Sequence, residues 1–451
     1  MLIMCDQLRA DAVQPESSYV STPNIKAMAD QGCWFSQCYT NSPQCVPARV
    51  ALATGDYPYK SGIVKNCKHT IDNLRPNWMQ AIRAAGYETG FFGKAHLHEH
   101  HGDLRPYEGW MRDLGFDVVD EILGPRSLRH TKCNLTLAWE KRGLWDLFRE
   151  DLNERLSECQ FMVRPSPLGL DQYYDVYVPQ MAKRHLSRLD GKKPFFCVVS
   201  FAGPHEPYDT PEPYASLYDP DDMPSAVERP SFADVQNPSF IHKLMSKPNG
   251  QNLGVTDDDI AKLRANYAGA VSLIDDQIGK LLQQLKIDGL FDETLIVLTS
   301  DHGELNGDYG LLKKAVFLDS SVRIPLVIKL AATMDQRNRG HIDSLVELID
   351  IGPTLAAVSQ SSMPFQSEGL SILPLLCGSN VDTRQIAISQ FRDETMIVDH
   401  RWKAVYKNSG KLSLLFDRVN DPLEIDNLAG QQSAPDLFDN RINHQKRPNH
   451  N

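Results

Sequence analysis

Five short segments carry residue types that could do chemistry together. Asp6-Gln7, Gly93-Lys94-Ala95-His96, Pro204-His205 and Asp301-His302-Gly303 each follow a short apolar run directly. Acids beside an amide or an imidazole are the donors that hold a divalent cation. Lys and His are the types that bind an anion and move a proton. The fifth segment, Cys45-Val46-Pro47-Ala48-Arg49 followed by Leu52, Thr54 and Gly55, is the most specific. Pro47 suits a first helical turn, so Cys45 stands at a helix N-terminus, where free N–H groups favour an anion. Arg49 lies one turn further along the same face. That pattern makes an anion site around a reactive side chain. A structural Cys beside a capping Pro would account for the Cys and the Pro, but not for Arg49 or the other four segments.

The elements that must position these groups alternate between β-branched or aromatic runs and helical patterns, the signature of a mostly parallel sheet covered by helices. Expected strands are Leu2 to Cys5, Cys33 to Tyr39, Glu88 to Phe92, Pro194 to Phe201, Thr294 to Thr299 and Ile324 to Ile328. Between them, Thr22-Pro23 caps a helix over Ile25 to Gln31 that stops at Gly32; further helices run over Trp78 to Ala85, Gln172 to Leu189 and Asp257 to Leu285. In such sheets ligands bind outside the carboxyl ends of the strands, so the four post-strand groups are expected to converge on one site. A polar residue after a single strand is often just a loop residue; four together argue for a shared purpose.

The plan is therefore α/β: a large, mostly parallel sheet sandwiched by helices over residues 1–360, then a small antiparallel sheet over 361–438. The latter rests on Gln385 to Phe391, Thr395 to Val398, Trp402 to Tyr406 and Lys411 to Phe416, parted by turn signals such as Asn408-Ser409-Gly410. Tyr218 to Asn252, rich in Pro, Asp and Ser, reads as a surface excursion, and 439–451 as a disordered tail. The first strand has about four residues before Asp6, short for a central strand. Residues completing it or carrying a leader are therefore expected upstream, and no compartment can be assigned.

Composition narrows the classes further. The chain has 451 residues, 41% of them apolar, with 28 Gly and 28 Pro, which excludes collagen-like and disordered types. No apolar run approaches the roughly 20 residues that cross a bilayer. The net charge of −11 argues against a broad nucleic-acid footprint, so an anionic ligand must be held by local cations. Nine scattered cysteines without paired spacing read as buried thiols, and Cys33 and Cys38, on opposite faces of one strand, should not bridge. His98, His100 and His101 could form a second metal site, but a polar substrate-side loop is the preferred reading.

The sequence resembles the type I sulfatases of the alkaline phosphatase superfamily, whose signature is Cys-x-Pro-x-Arg continuing into Leu/Met-x-Thr-Gly. Seven blocks follow the family's order: Asp6 to Asp11, Thr22-Pro23-Asn24, Cys45 to Gly55, Gly93 to His96, Pro204 to Tyr208, Ser300 to Lys314 and Leu348 to Thr354. The resemblance implies that a maturation enzyme oxidises Cys45 to formylglycine, whose hydrate attacks sulfur. It further implies that Asp6, Gln7, Cys45, Asp301 and His302 hold a divalent cation, with Ca²⁺ favoured and Mg²⁺ or Mn²⁺ open. Arg49 would orient the diol, Lys94 and Lys314 bind sulfate oxygens, His96 accept the diol proton and His205 protonate the leaving alcohol. Of the pair Lys313 and Lys314, the register from Gly310 selects Lys314. Ala48 stands where the family usually has Ser. A sulfated small molecule or glycan is the implied substrate, and a periplasmic or secreted setting is common in the family. The alternatives are a phosphonate or phosphate ester hydrolase of the same superfamily, and a non-catalytic binder of sulfated glycans.

Overall fold

The computed structural model describes residues 1–15, 19–100, 102–158, 162–228, 230, 255–334, 338–362, 366–379 and 384–445. Its centre is an eight-stranded sheet of order β5-β4-β6-β1-β7-β8-β2-β9. The strands are β1 (Leu2–Asp6), β2 (Cys33–Phe35), β4 (Glu88–Lys94), β5 (Val118–Ile122), β6 (Phe195–Pro204), β7 (Ile296–Ser300), β8 (Leu326–Lys329) and β9 (Gly340–Ile342). From β5 to β7 all pairings are parallel; β8 runs antiparallel to both β7 and β2.

A parallel strand buried on both faces reads as a continuous apolar run, and β1 is buried at all five positions. Period-two alternation sends Ile3 and Cys5 into one core and Leu2 and Met4 into the other. The first core is closed by α1 (Pro23–Asp30), α4 (Tyr174–Leu186) and the long α5 (Asp257–Ile287); the second by α2 (Cys45–Thr54) and α3 (Trp78–Ala84). Among the described residues no helix is long and apolar enough to cross a membrane.

Several expectations need correction. Cys33 to Tyr39 is not one strand: the chain breaks after β2, and β3 (Cys38–Tyr39) leaves to pair with β10 (Val346–Glu347). Both cysteines are free thiols, as expected. Thr22 makes no capping bond. Asp275 on α5 takes its place, accepting from the N–H groups of Asn24 at 3.1 Å and Ile25 at 2.8 Å, so a tertiary contact replaces the local cap. The strand β5 and a helix at Leu144–Glu158 went unassigned, the former because Asp120 and Glu121 interrupt its apolar run.

The C-terminal antiparallel sheet matches expectation, with β11 (Ala387–Phe391), β12 (Glu394–Val398), β13 (Trp402–Lys407) and β14 (Leu412–Asp417) in order. Val398, Val405 and Phe416 pack toward Tyr39, Phe317 and Leu318. Ile397, Ala404 and Leu415, on the opposite face, pack under Phe438 and Ile442 of α6 (Asp436–Gln445). Residues 439–445, expected as disordered tail, therefore continue a helix whose apolar positions bury the outer face of the sheet; 446–451 lie outside the described residues, as do 229 and 231–252 of the surface excursion.

Candidate functional site

The carboxyl ends of β1, β4, β6 and β7 deliver Asp6, Lys94, Pro204 and Ser300, so the residues after them meet at one edge of the sheet. Backbone geometry sharpens the convergence. Gly93 has φ of 109°, and a Cβ there would lie 1.9 Å from the Ser200 carbonyl oxygen on β6, so only glycine fits. Gln7 and His96, immediately beyond their strands, take φ of 70° and 58°.

Cys45 opens α2 and is 1% exposed. Its Sγ lies 3.0 Å from His302 Nε2 and 3.8 Å from Asp6 Oδ1. Ligand atoms of Asp6, Cys45, Asp301 and His302 all fall within 4.8 Å of one another. Arg49 threads beneath them: its Nε donates to Asp301 Oδ2 at 2.7 Å, one terminal nitrogen reaches Asp6 Oδ2 at 3.3 Å, and the other donates to the Lys94 carbonyl and to Ser200 Oγ. Lys94 pairs with Asp6. Lys314 donates to Gln7 Oε1, while Gln7 Nε2 donates to Glu206 and Glu304. Gln7 thus stands beside the four-residue cluster, joined to it by its backbone N–H on Asp301 Oδ1 at 3.1 Å.

His205 places Nδ1 2.7 Å from the Glu206 carbonyl and 3.2 Å from the Glu206 carboxylate. His96 is partly exposed, its Nδ1 is buried without a partner, and its ring stacks on His100 at 4.6 Å. Every residue expected from the sequence to serve the site is therefore in this region. Ser200, Glu206 and Glu304 were missed. The first is an ordinary strand residue without signal; the two acids sit next to or two beyond named histidines, which was a usable cue. His98 and His100 lie in the loop after β4, as expected, but are buried against Glu121, and His101 lies outside the described residues.

Burial and Asp6 resist ionisation of the Cys45 thiol, but Lys314, Lys94 and His302 outweigh them and hold it well below its usual range. Burial also opposes ionisation of Asp6, yet Lys94, His205, Lys314 and Arg49 hold it well down; Asp301 is lowered as well, burial and Asp6 being outweighed by His302, Arg49 and Lys94. His96 is driven well below its normal value by burial, then by Lys94, His100 and Arg49. The cluster is fit for a divalent cation. Two buried carboxylates face one imidazole, whose Nδ1 is engaged by the Gly303 carbonyl at 2.9 Å, turning Nε2 inward.

A family model described as Sulfatase matches residues 1–361, and one described as N-sulphoglucosamine sulphohydrolase, C-terminal, matches 307–447. The chain belongs to the sulfatase family. It is 29% identical to a multifunctional alkaline phosphatase superfamily protein, PehA, of Trinickia caryophylli, over 95% of this chain and 91% of that one. An arylsulfatase of Clostridium perfringens is 27% identical over 97% of this chain and 92% of its own length. Among solved structures, the phosphonate monoester hydrolase of Agrobacterium radiobacter superposes with a TM-score of 0.75 at 25% identity, covering 99% of this chain and 93% of that one. This sulfatase-family chain is thus a hydrolase of the sulfuric ester class with an alkaline phosphatase-like fold.

Proposed function

We propose that the protein hydrolyses the sulfate monoester of a small molecule or glycan, with residue 45 in its formylglycine form and a divalent cation held by Asp6, Gln7, residue 45, Asp301 and His302. The observation that carries the reading is the buried residue 45 at a helix N-terminus, ringed by the cations Arg49, Lys94 and Lys314. Oxygen-rich donors favour Ca²⁺, with Mg²⁺ or Mn²⁺ also compatible. When bound, the cation supplies charge neutralisation for the sulfate oxygens. Sulfate esters hydrolyse so slowly that roughly 20 kcal/mol of transition-state stabilisation is required, more than one Lys provides.

The chain's own residues then divide the proton work. One hydroxyl of the hydrated aldehyde at residue 45 attacks sulfur and gives its proton to the neighbouring Asp301 carboxylate as the ester S–O bond breaks, while His205 gives the departing oxygen a proton. His96, kept neutral, takes the proton of the second hydroxyl; the C–O bond to sulfate breaks, the aldehyde returns, and water restores the hydrate. Arg49 orients the diol while Lys94 and Lys314 bind the transferred sulfate. A non-catalytic glycan binder would need neither His96 nor His205.

The second reading is phosphonate or phosphate monoester hydrolysis, supported by the likeness to a phosphonate monoester hydrolase and by the Asp-Gln and Asp-His pairs. Lys94 and His96 favour sulfate, since they suit a monoanion whose covalent intermediate must be expelled by a base. The test compares kcat/KM for an aryl sulfate and the matching aryl phosphonate, using enzyme whose residue 45 is shown by peptide mass spectrometry to have lost sulfur and gained an aldehyde. Sulfate should be preferred. A phosphonate preference would install the second reading, and full activity with unmodified Cys45 would sink the mechanism.

A further inference from the structure

His98, His100 and Glu121 meet beside the proposed catalytic centre without belonging to it. His98 Nε2 lies 2.7 Å from one Glu121 oxygen and His100 Nε2 lies 3.1 Å from the other, with side chains 0%, 8% and 4% exposed. The ligand atoms of all three fall within 4.8 Å of one another. The histidines occupy alternate positions just past β4, and Glu121 comes from β5, opposite Gly93 in the ladder. The set therefore joins the buried segment that follows β4 to the end of β5.

Two features go beyond a surface ion pair. First, His98 Nδ1 is engaged by the Glu99 carbonyl at 3.0 Å, which makes Nδ1 the protonated nitrogen and turns the Nε2 lone pair toward the carboxylate. Two lone pairs at that separation repel unless a cation stands between them, either a proton or a metal ion. This backbone bond to the outer ring nitrogen is the support that metal-ligating histidines commonly have. The ring is also fixed, stacked on Tyr107 at 4.3 Å and 9° and edge-on to Trp110 at 5.2 Å. Second, His100 is held through Nε2, by stacking on His96 and by an edge contact with His98 at 5.1 Å; its buried Nδ1 has no partner among the described residues, which leaves the ring a polar atom to reorient when an ion binds.

We propose that His98 Nε2, His100 Nε2 and the Glu121 carboxylate form a second metal site, for a borderline transition-metal ion of the Zn²⁺ class. Four-coordinate zinc with bonds of about 2.0–2.1 Å spaces its ligand atoms about 3.3 Å apart. The 2.7 Å contact from His98 would open by about 0.6 Å and the 3.1 Å contact from His100, to the other carboxylate oxygen, by about 0.2 Å. Two imidazoles and one carboxylate suit zinc better than calcium, whereas the carboxylate-rich cluster around residue 45 prefers the harder ion. Three protein ligands leave one position for water or another ligand. The bound ion would tie the segment after β4, which carries His96 and follows Lys94, to β5.

The proposal does not depend on the chemistry of residue 45, so the full-length double variant Cys45→Ala, His302→Ala, which removes both soft donors from the other cluster, is the protein to use. Dialysed free of metal and titrated with Zn²⁺ and with Co²⁺, it should bind one equivalent of either and give the visible absorption of four-coordinate Co²⁺. Crystals of the zinc form should show an anomalous peak between His98, His100 and Glu121. Glu121→Gln, nearly isosteric, and His100→Gln should each weaken binding at least tenfold while the circular dichroism stays native. Absence of stoichiometric Zn²⁺ or Co²⁺ binding, or a zinc peak elsewhere in the chain, would overturn the proposal. The crystallographic arm decides even if a variant fails to fold.

Discussion

Replacing Arg49 by Lys keeps the positive charge and removes the fork, so it asks whether geometry or charge matters at the centre of the site. Arg49 is 3% exposed and serves Asp301, Asp6, the Lys94 carbonyl and Ser200 Oγ at once. A lysine ammonium is a compact donor that can satisfy one carboxylate, leaving the other acid and Ser200 short of a partner. The Lys94 carbonyl keeps its bond from Ser200 Oγ at 2.8 Å, which moderates the loss. Asp6 keeps Lys94 as a partner, so what is lost is one or two charge-assisted hydrogen bonds at about 1.5–3 kcal/mol each, about 2–4 kcal/mol in all. If that falls on the transition state, kcat/KM drops by roughly 30- to 1,000-fold at about 1.4 kcal/mol per decade. The assay is initial-rate hydrolysis of an aryl sulfate by matured Arg49→Lys, with residue 45 checked by mass spectrometry and bound metal measured on the same sample. A matured variant within threefold of wild type would refute the reasoning, because charge alone would then suffice.

Three further outcomes follow from the same geometry. His205→Ala should slow hydrolysis of poor alkyl leaving groups far more than of a nitrophenyl sulfate, whose phenolate departs unaided; equal losses would reassign His205 to binding. Burial and Lys94 hold His96 below its normal value, so the acid limb of the kcat profile should lie below pH 6.5 and move to higher pH in Lys94→Ala; an unmoved limb would remove His96 as the base. Asp175, buried on the N–H groups of Ala202 and Gly203, is pushed up to about 7, chiefly by burial. A carboxyl raised on folding stabilises below its unfolded value near 3.8 and loses that contribution as pH rises through 7. Asp175→Asn should therefore gain on wild type in thermal melting between pH 5 and 8, by at most about 4 kcal/mol. Parallel melting curves for the two proteins would contradict this.

Much of this was legible because the strands are short, doubly buried runs whose polar residues follow immediately. Asp6, Lys94, His205 and Asp301 could be placed at strand ends from periodicity alone, and Pro47 fixed the start of α2. What escaped was set by partners remote in sequence. Thr22 looked like a cap, yet Asp275 on α5 does the capping, and nothing near residue 22 announces it. The turn between β2 and β3 sends Cys38 to another sheet because Val346 is there to pair with it. Glu121 broke the apolar pattern of β5, and its reason for being there lies in His98 and His100, in the segment beyond β4.

The burial of Cys45 bears on timing during synthesis. Its sulfur is enclosed by Asp6, which precedes it, and by Asp301 and His302, which the ribosome supplies only about 250 residues later. At about 5–20 residues per second, β7 and the segment after it arrive some 13–50 s after residue 45 is made. If Cys45 is oxidised as proposed, the oxidising enzyme has a window of that order before the sheet closes over the thiol. Slower elongation between residues 45 and 296 would widen the window, and faster folding of the completed chain would end it. The fraction of matured protein would then record a race between translation and modification, decided before the enzyme meets its first substrate.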